Sequence, residues 1–174
     1  MPNLFDIDAC TALFSQHYPD LVRYARSIAG DAGGAEDAVQ DAFLRLWKRR
    51  ETIDPERSVR SLLYRAVRNL VLNEARDAAL HRDLLKDMQP NGHAPMPDAA
   101  AGAGLIGDRM RGWIGELPER RREAFELSRF YGLSYDEIAG IMGVSKKTVE
   151  NHIRLALQHL RDRLHQFDPH LLRT

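Results

Sequence analysis

The sequence predicts an all-α protein made of two small helical domains joined by a flexible linker, the C-terminal one a helix-turn-helix. Three observations carry that expectation. Apolar residues recur at three- and four-residue spacing almost throughout, and no segment keeps the sustained alternation of a strand. A stretch rich in Pro, Gly and Ala, HRDLLKDMQPNGHAPMPDAAAGAGLIGD, interrupts the pattern. Beyond it, a short apolar-periodic segment, a glycine and a longer one follow in close order. The expected division is residues 1–80, a linker over 81–108, and residues 109–174; a chain of 174 residues accommodates two domains of ~60–80 residues.

The first helix is expected over about 8–29 on Leu13, Phe14, Leu21, Ala25 and Ile28, ended by Gly30-Asp31-Ala32-Gly33-Gly34. The second, about 35–50, uses Val39, Ala42, Phe43 and Leu46. Asp54-Pro55 breaks the chain, and Ser58 or a near neighbour caps a third helix on Val59, Leu62, Leu63, Ala66, Val67 and Leu70. In the C-terminal part, Ser134-Tyr135-Asp136-Glu137 is a capping box opening a short helix on Ile138, Ala139 and Met142. Gly143 supplies the left-handed turn, Val144 plugs the core, and Ser145 caps a longer helix on Val149, Ile153, Ala156, Leu157, Leu160 and Leu164.

Composition narrows the function. Hydrophobic residues make up 44% and charged ones 29%, the balance of a soluble globular protein. No apolar run approaches the ~20 residues of a membrane span, and the acidic N-terminus is unlike a signal peptide, so a cytoplasmic location is expected. A lone Cys10 cannot form an internal disulfide or a cysteine zinc cage. The net charge of zero conceals alternating blocks. Residues 1–39 carry two Lys/Arg against six Asp/Glu and residues 40–76 nine against five; 77–108 carry two against five and 109–174 twelve against nine. Separate basic blocks suit an anionic partner, and separate acidic ones a protein.

Three surfaces follow from helical spacing. Opposite the core stripe of the last helix lie Lys147, Asn151, Arg154 and Gln158, flanked by Lys146 and Thr148, side chains able to reach phosphates and base edges of a duplex. Opposite the stripe of the third helix lie Arg57, Ser61, Tyr64, Arg65, Arg68 and Leu72, with Arg60 and Arg76 beside them; basic residues around an exposed ring suit an unpaired strand. The second helix instead turns outward Asp37, Asp41, Leu44 and Lys48 beside Glu36 and Gln40, which DNA would repel and a basic, partly apolar protein surface would accept. No catalytic constellation is found. Gly102-Ala103-Gly104-Leu105-Ile106-Gly107 satisfies GxGxxG but lacks the strand that a dinucleotide site requires, and His152 and His159 lack further ligands for a metal. No cofactor, metal or small-molecule substrate is expected.

Three stretches together resemble the extracytoplasmic-function (ECF) sigma factors, the smallest bacterial sigma factors. AEDAVQDAFLRLWKRR is similar to the family's helix that docks on the clamp helices of the polymerase largest subunit, and RSVRSLLYRAVRNLVLNEAR to its promoter-melting and minus-ten helix. LPERRREAFELSRFYGLSYDEIAGIMGVSKKTVENHIRLALQHLRDRL is similar to its minus-thirty-five-binding region, a likeness shared with LuxR-type regulators. The resemblance implies Asp37, Gln40, Asp41 and Leu44 against core RNA polymerase, and Arg60, Arg65, Arg68 and Asn69 near the minus-ten strand. It implies Lys146, Lys147, Thr148, Asn151 and Arg154 at the minus-thirty-five duplex. It also implies a base captured by the loop Glu51–Glu56 and a regulating anti-sigma partner. Many members carry an aromatic where this chain has Leu62. The competing reading is a stand-alone helix-turn-helix regulator that binds duplex DNA as a dimer.

Overall fold

The computed structural model describes residues 6–30, 34–53, 58–85 and 104–168, and all regular structure among them is helical. Among the described residues seven α-helices fall into two units: α1 (Ile7–Ala29), α2 (Ala35–Lys48) and α3 (Val59–Leu85) form one, and α4 (Leu105–Gly115), α5 (Glu119–Arg129), α6 (Tyr135–Met142) and α7 (Lys146–Phe167) the other.

In the first unit each helix gives one apolar face to a shared core. Leu21, Tyr24 and Ala25 of α1 meet Val39, Ala42 and Phe43 of α2 and Leu63, Tyr64 and Val67 of α3, all buried. Asp6 caps α1 by accepting from the Ala9 amide at 2.8 Å, and Ser58 Oγ accepts from the Ser61 amide at 3.2 Å at the start of α3. Helix α2 stops at Lys48 rather than 50, and residues 50–52 tighten into a 3-10 turn.

Helix α3 is rotated from its expected setting. Val71 is buried while Leu62 and Leu70 are only half-buried, and Tyr64, expected outside as a stacking ring, is 1% exposed with its centroid 5.1 Å from that of Tyr24. A ring of that size contributes a large apolar area to the shared core, where it meets Tyr24. Tyr64→Ala is therefore expected to cost ~3–5 kcal/mol, as for other large buried rings, lowering the melting temperature of the first unit by more than about ten degrees in calorimetry.

The second unit packs Trp113, Ile114 and Leu117 against Phe125 of α5 and Ala156 and Leu160 of α7. Leu157, expected in this core, is 39% exposed. The segment expected as linker is helical at both ends, since α3 runs to Leu85 and α4 begins at Leu105. Of the GxGxxG stretch, Gly102 and Ala103 lie outside the described residues, and Gly104 precedes α4 with Gly107 inside it.

Candidate nucleic-acid interface

The C-terminal surface begins with a turn whose parts are all visible. Ser134 Oγ accepts from the Glu137 amide at 3.3 Å while Glu137 Oε2 accepts from the Ser134 amide at 2.9 Å, the reciprocal pair of a capping box. Gly143 takes φ +66° and ψ +38°, a left-handed conformation costly for any residue with a Cβ. Ser145 Oγ then accepts from the Thr148 amide at 3.1 Å and opens α7. Val149, Ile153 and Ala156 are buried, which leaves Lys147, Asn151, Arg154 and Gln158 exposed on the far side, as helical spacing predicts.

Four of the five expected duplex-reading residues have partners within the protein. Lys146 Nζ donates to Asp136 Oδ2 at 2.8 Å, and that contact, reinforced by Glu150, holds its ammonium above the usual lysine range. Thr148 is half-buried, and its hydroxyl lies 2.8 Å from that of Ser145. Arg154 Nη2 donates to Asn151 Oδ1 at 2.9 Å.

Behind this face, His152 is half-buried against α5. Burial, then the charges of Arg121 and Arg120, push its imidazole below the usual histidine range, while Glu123 opposes them. Unfolded, that imidazole takes up a proton near pH ~6.5; folded, it does so only at lower pH. Between the two values the unfolded chain holds more protons, so stability falls as the pH is lowered through that window and is unaffected above it. In thermal melts at pH 5 and 7, His152→Gln is expected to narrow the difference seen in the unsubstituted protein.

Of the residues expected to dock, Asp37 and Gln40 of α2 are exposed, Leu44 is 57% exposed, and Asp41, half-buried, pairs with Arg45 one turn on at 2.9 Å. On α3, Arg65 and Asn69 are exposed, Arg60 and Arg68 are half-buried, and Tyr64 is inside. Asn69 opens onto a groove of about 870 Å³ between α2 and α3, also lined by Arg45, Lys48, Arg49, Thr52 and Ile53. Helical spacing on α3 alone missed those three cations, because they enter from α2 and the turn after it. Asp54, Pro55 and Glu56 of the expected base-capturing loop lie outside the described residues, as does Arg57. Among the described residues no group of three or more His, Cys, Asp or Glu could hold a metal ion, and no helix is long and apolar enough to cross a membrane.

Known proteins share both units. Residues 13–80 match the Sigma-70 region 2 family and residues 109–160 the Sigma-70 region 4 family. The ECF RNA polymerase sigma factor SigL of Mycobacterium tuberculosis is 33% identical over 156 residues, 86% of this chain and 85% of that protein. The ferric citrate uptake sigma factor FecI of Escherichia coli is 30% identical over 150 residues, 85% of this chain and 86% of its own. Among solved structures, CnrH in complex with the cytosolic domain of CnrY aligns with a TM-score of 0.62 at 26% identity, covering 91% of this chain and 89% of that one. The sigma factor RpoE of Bartonella quintana, solved with the anti-sigma factor NepR, shares the fold with a TM-score of 0.75 at 21% identity, over 91% of this chain and 98% of that one. The region 2 match disfavours a stand-alone helix-turn-helix regulator. The chain belongs to the extracytoplasmic-function family of RNA polymerase sigma factors and is a transcription initiation factor, not an enzyme.

Proposed function

We propose that this protein joins core RNA polymerase through the outward face of α2 and directs it to a bipartite promoter, reading the upstream duplex with α7 and holding the opened minus-ten strand along α3. The observation that carries this reading is the separation of surfaces: acids around an exposed Leu44 on α2, exposed Arg65 and Asn69 on α3, and exposed Lys147, Asn151 and Arg154 on α7. Asp37, Gln40, Asp41 and Leu44 form the polymerase contact. Arg60, Arg65, Arg68 and Asn69 serve the minus-ten strand, joined by Lys48 and Arg49 across the groove. Lys147, Asn151 and Arg154 read the minus-thirty-five duplex, with Lys146 drawn to phosphate and Thr148 fixing the helix start. The working division is residues 1–80, a connecting segment over 81–108, and residues 109–174, all acting in the cytoplasm. RpoE of Bartonella quintana is solved with the anti-sigma factor NepR and CnrH with the cytosolic domain of CnrY, and these likenesses support an anti-sigma partner for this protein.

Each DNA surface offers only a few exposed side chains, Arg65 and Asn69 on α3 and Lys147, Asn151, Arg154 and Gln158 on α7. In gel-shift titrations the protein alone is expected to show no sequence-specific affinity for promoter duplex, and adding core polymerase to confer it. Tight, specific dimeric binding without polymerase would count against the reading.

A further inference from the structure

The outward face of α7 carries one contact that changes what it can read. Arg154 Nη2 donates to Asn151 Oδ1 at 2.9 Å, one turn of helix apart, and both side chains are exposed. A guanidinium has only donors, so the Asn151 atom facing it is the carboxamide oxygen. Among the described residues no carboxylate lies within ion-pair distance of Arg154, whereas Lys146 at the start of the same helix is held by Asp136.

An asparagine that holds adenine presents its oxygen and nitrogen side by side to one base edge, accepting from N6 and donating to N7. With its oxygen turned along the helix to Arg154, Asn151 keeps one further lone pair but no longer aims oxygen and nitrogen side by side at one base edge, so its N–H donors are what it presents best. Arg154 spends one of its five donors on the contact, and the others keep their fork geometry. Such a fork matches the two acceptors, O6 and N7, of a guanine in the major groove. The contact also reduces the freedom of a long side chain, so less order has to be imposed on it at the moment of binding.

We propose that Asn151 and Arg154 act as one donor-presenting reading unit that selects guanine over adenine in the upstream duplex, with Asn151 the positioning residue for Arg154. This rests on the reading of α7 as the duplex-reading helix, and names the base it reads. Arg154 supplies the base contact; Asn151 sets its direction and is itself withheld from adenine.

The test uses holoenzyme reconstituted with the full chain and a library of promoter fragments randomised across the upstream duplex, comparing the base composition of bound and unbound DNA. The unsubstituted protein is expected to enrich guanine over adenine at one base pair by roughly tenfold or more. Asn151→Ala should lower that ratio at least threefold without altering preferences that depend on Lys147. Arg154→Ala should do more than weaken binding. It frees the Asn151 oxygen, so adenine becomes enriched over guanine at the pair Asn151 faces, and the double variant loses that new preference. A guanine ratio unchanged in Asn151→Ala, or a uniform loss across all sequences in Arg154→Ala, overturns the reading unit while leaving α7 in the groove. If Lys147→Ala, Asn151→Ala and Arg154→Ala all leave every upstream preference unchanged, α7 does not read the duplex, and the underlying assignment falls with the inference.

Discussion

Asp41→Lys and Leu44→Asp, made separately, are each expected to reduce co-elution with purified core polymerase at least tenfold while leaving the melting temperature of the free protein within a few degrees. Leu44 projects from α2 with 57% of its surface in water, beside the buried Phe43. Covering a leucine contributes ~1.5–3 kcal/mol, and a carboxylate in its place would have to be desolvated instead. A loss of 1.4 kcal/mol is already a factor of about ten in affinity. Asp41 acts through charge. Lysine there puts two cations one turn apart with Arg45, and it reverses the sign presented to a basic partner. The exposed Asp41–Arg45 pair stabilises the fold little, so its loss leaves the unit intact. The Asp41 defect should ease as salt is raised and the Leu44 defect should not, because only the first is screened. Full retention of polymerase by both variants would remove α2 as the docking helix.

The second large effect separates the DNA surfaces. Lys147→Ala should weaken the first, closed encounter with promoter duplex, by ~1–3 kcal/mol if a base contact is lost and almost uniformly across sequences if only a phosphate contact is lost. Arg65→Ala should leave that encounter nearly unchanged and slow strand opening at least several-fold. Arg65 is exposed on α3 beside Asn69 and the cation-lined groove, where charge favours a single strand once it is unpaired. Both residues are exposed, so neither change disturbs a core.

Much of this was legible in the residues alone, and where the reading failed the cause is physical. The boundaries of α1 and α6, the capping box at Ser134 and the left-handed Gly143 follow from local rules that tertiary packing had no reason to override. Pro19 inside α1 did not break it, because the helix is held by the core residues Leu21, Tyr24 and Ala25 that follow. On α3 the structure departs from the spacing at Tyr64, which is buried. The apolar residues of α3 are abundant enough to allow two stripes about one residue apart, and only contact with Tyr24 of another helix decides between them. Lys48, expected on the outward side of α2 with Asp37 and Asp41, lines the groove with Arg49 instead, since a site shared by two helices has no single sequence period. On α7 helical spacing predicts which side chains face outward but not their pairings. Nothing in the spacing alone distinguishes Lys146 held by Asp136 from Lys147 exposed to solvent.

The division of labour between the two units is tested most directly by permanganate footprinting of minus-ten thymines in holoenzyme complexes, on fully paired promoter and on a template already mispaired across that region. On paired DNA both Arg65→Ala and Lys147→Ala should show weak thymine reactivity. On the mispaired template, whose thymines are unpaired beforehand and where complex formation is read by gel shift, the cost of opening has been removed, so Arg65→Ala should recover most of its complex formation, whereas Lys147→Ala should remain impaired because its upstream duplex is unchanged. Equal rescue of both variants, or of neither, would contradict the assignment of duplex reading to α7 and strand opening to α3.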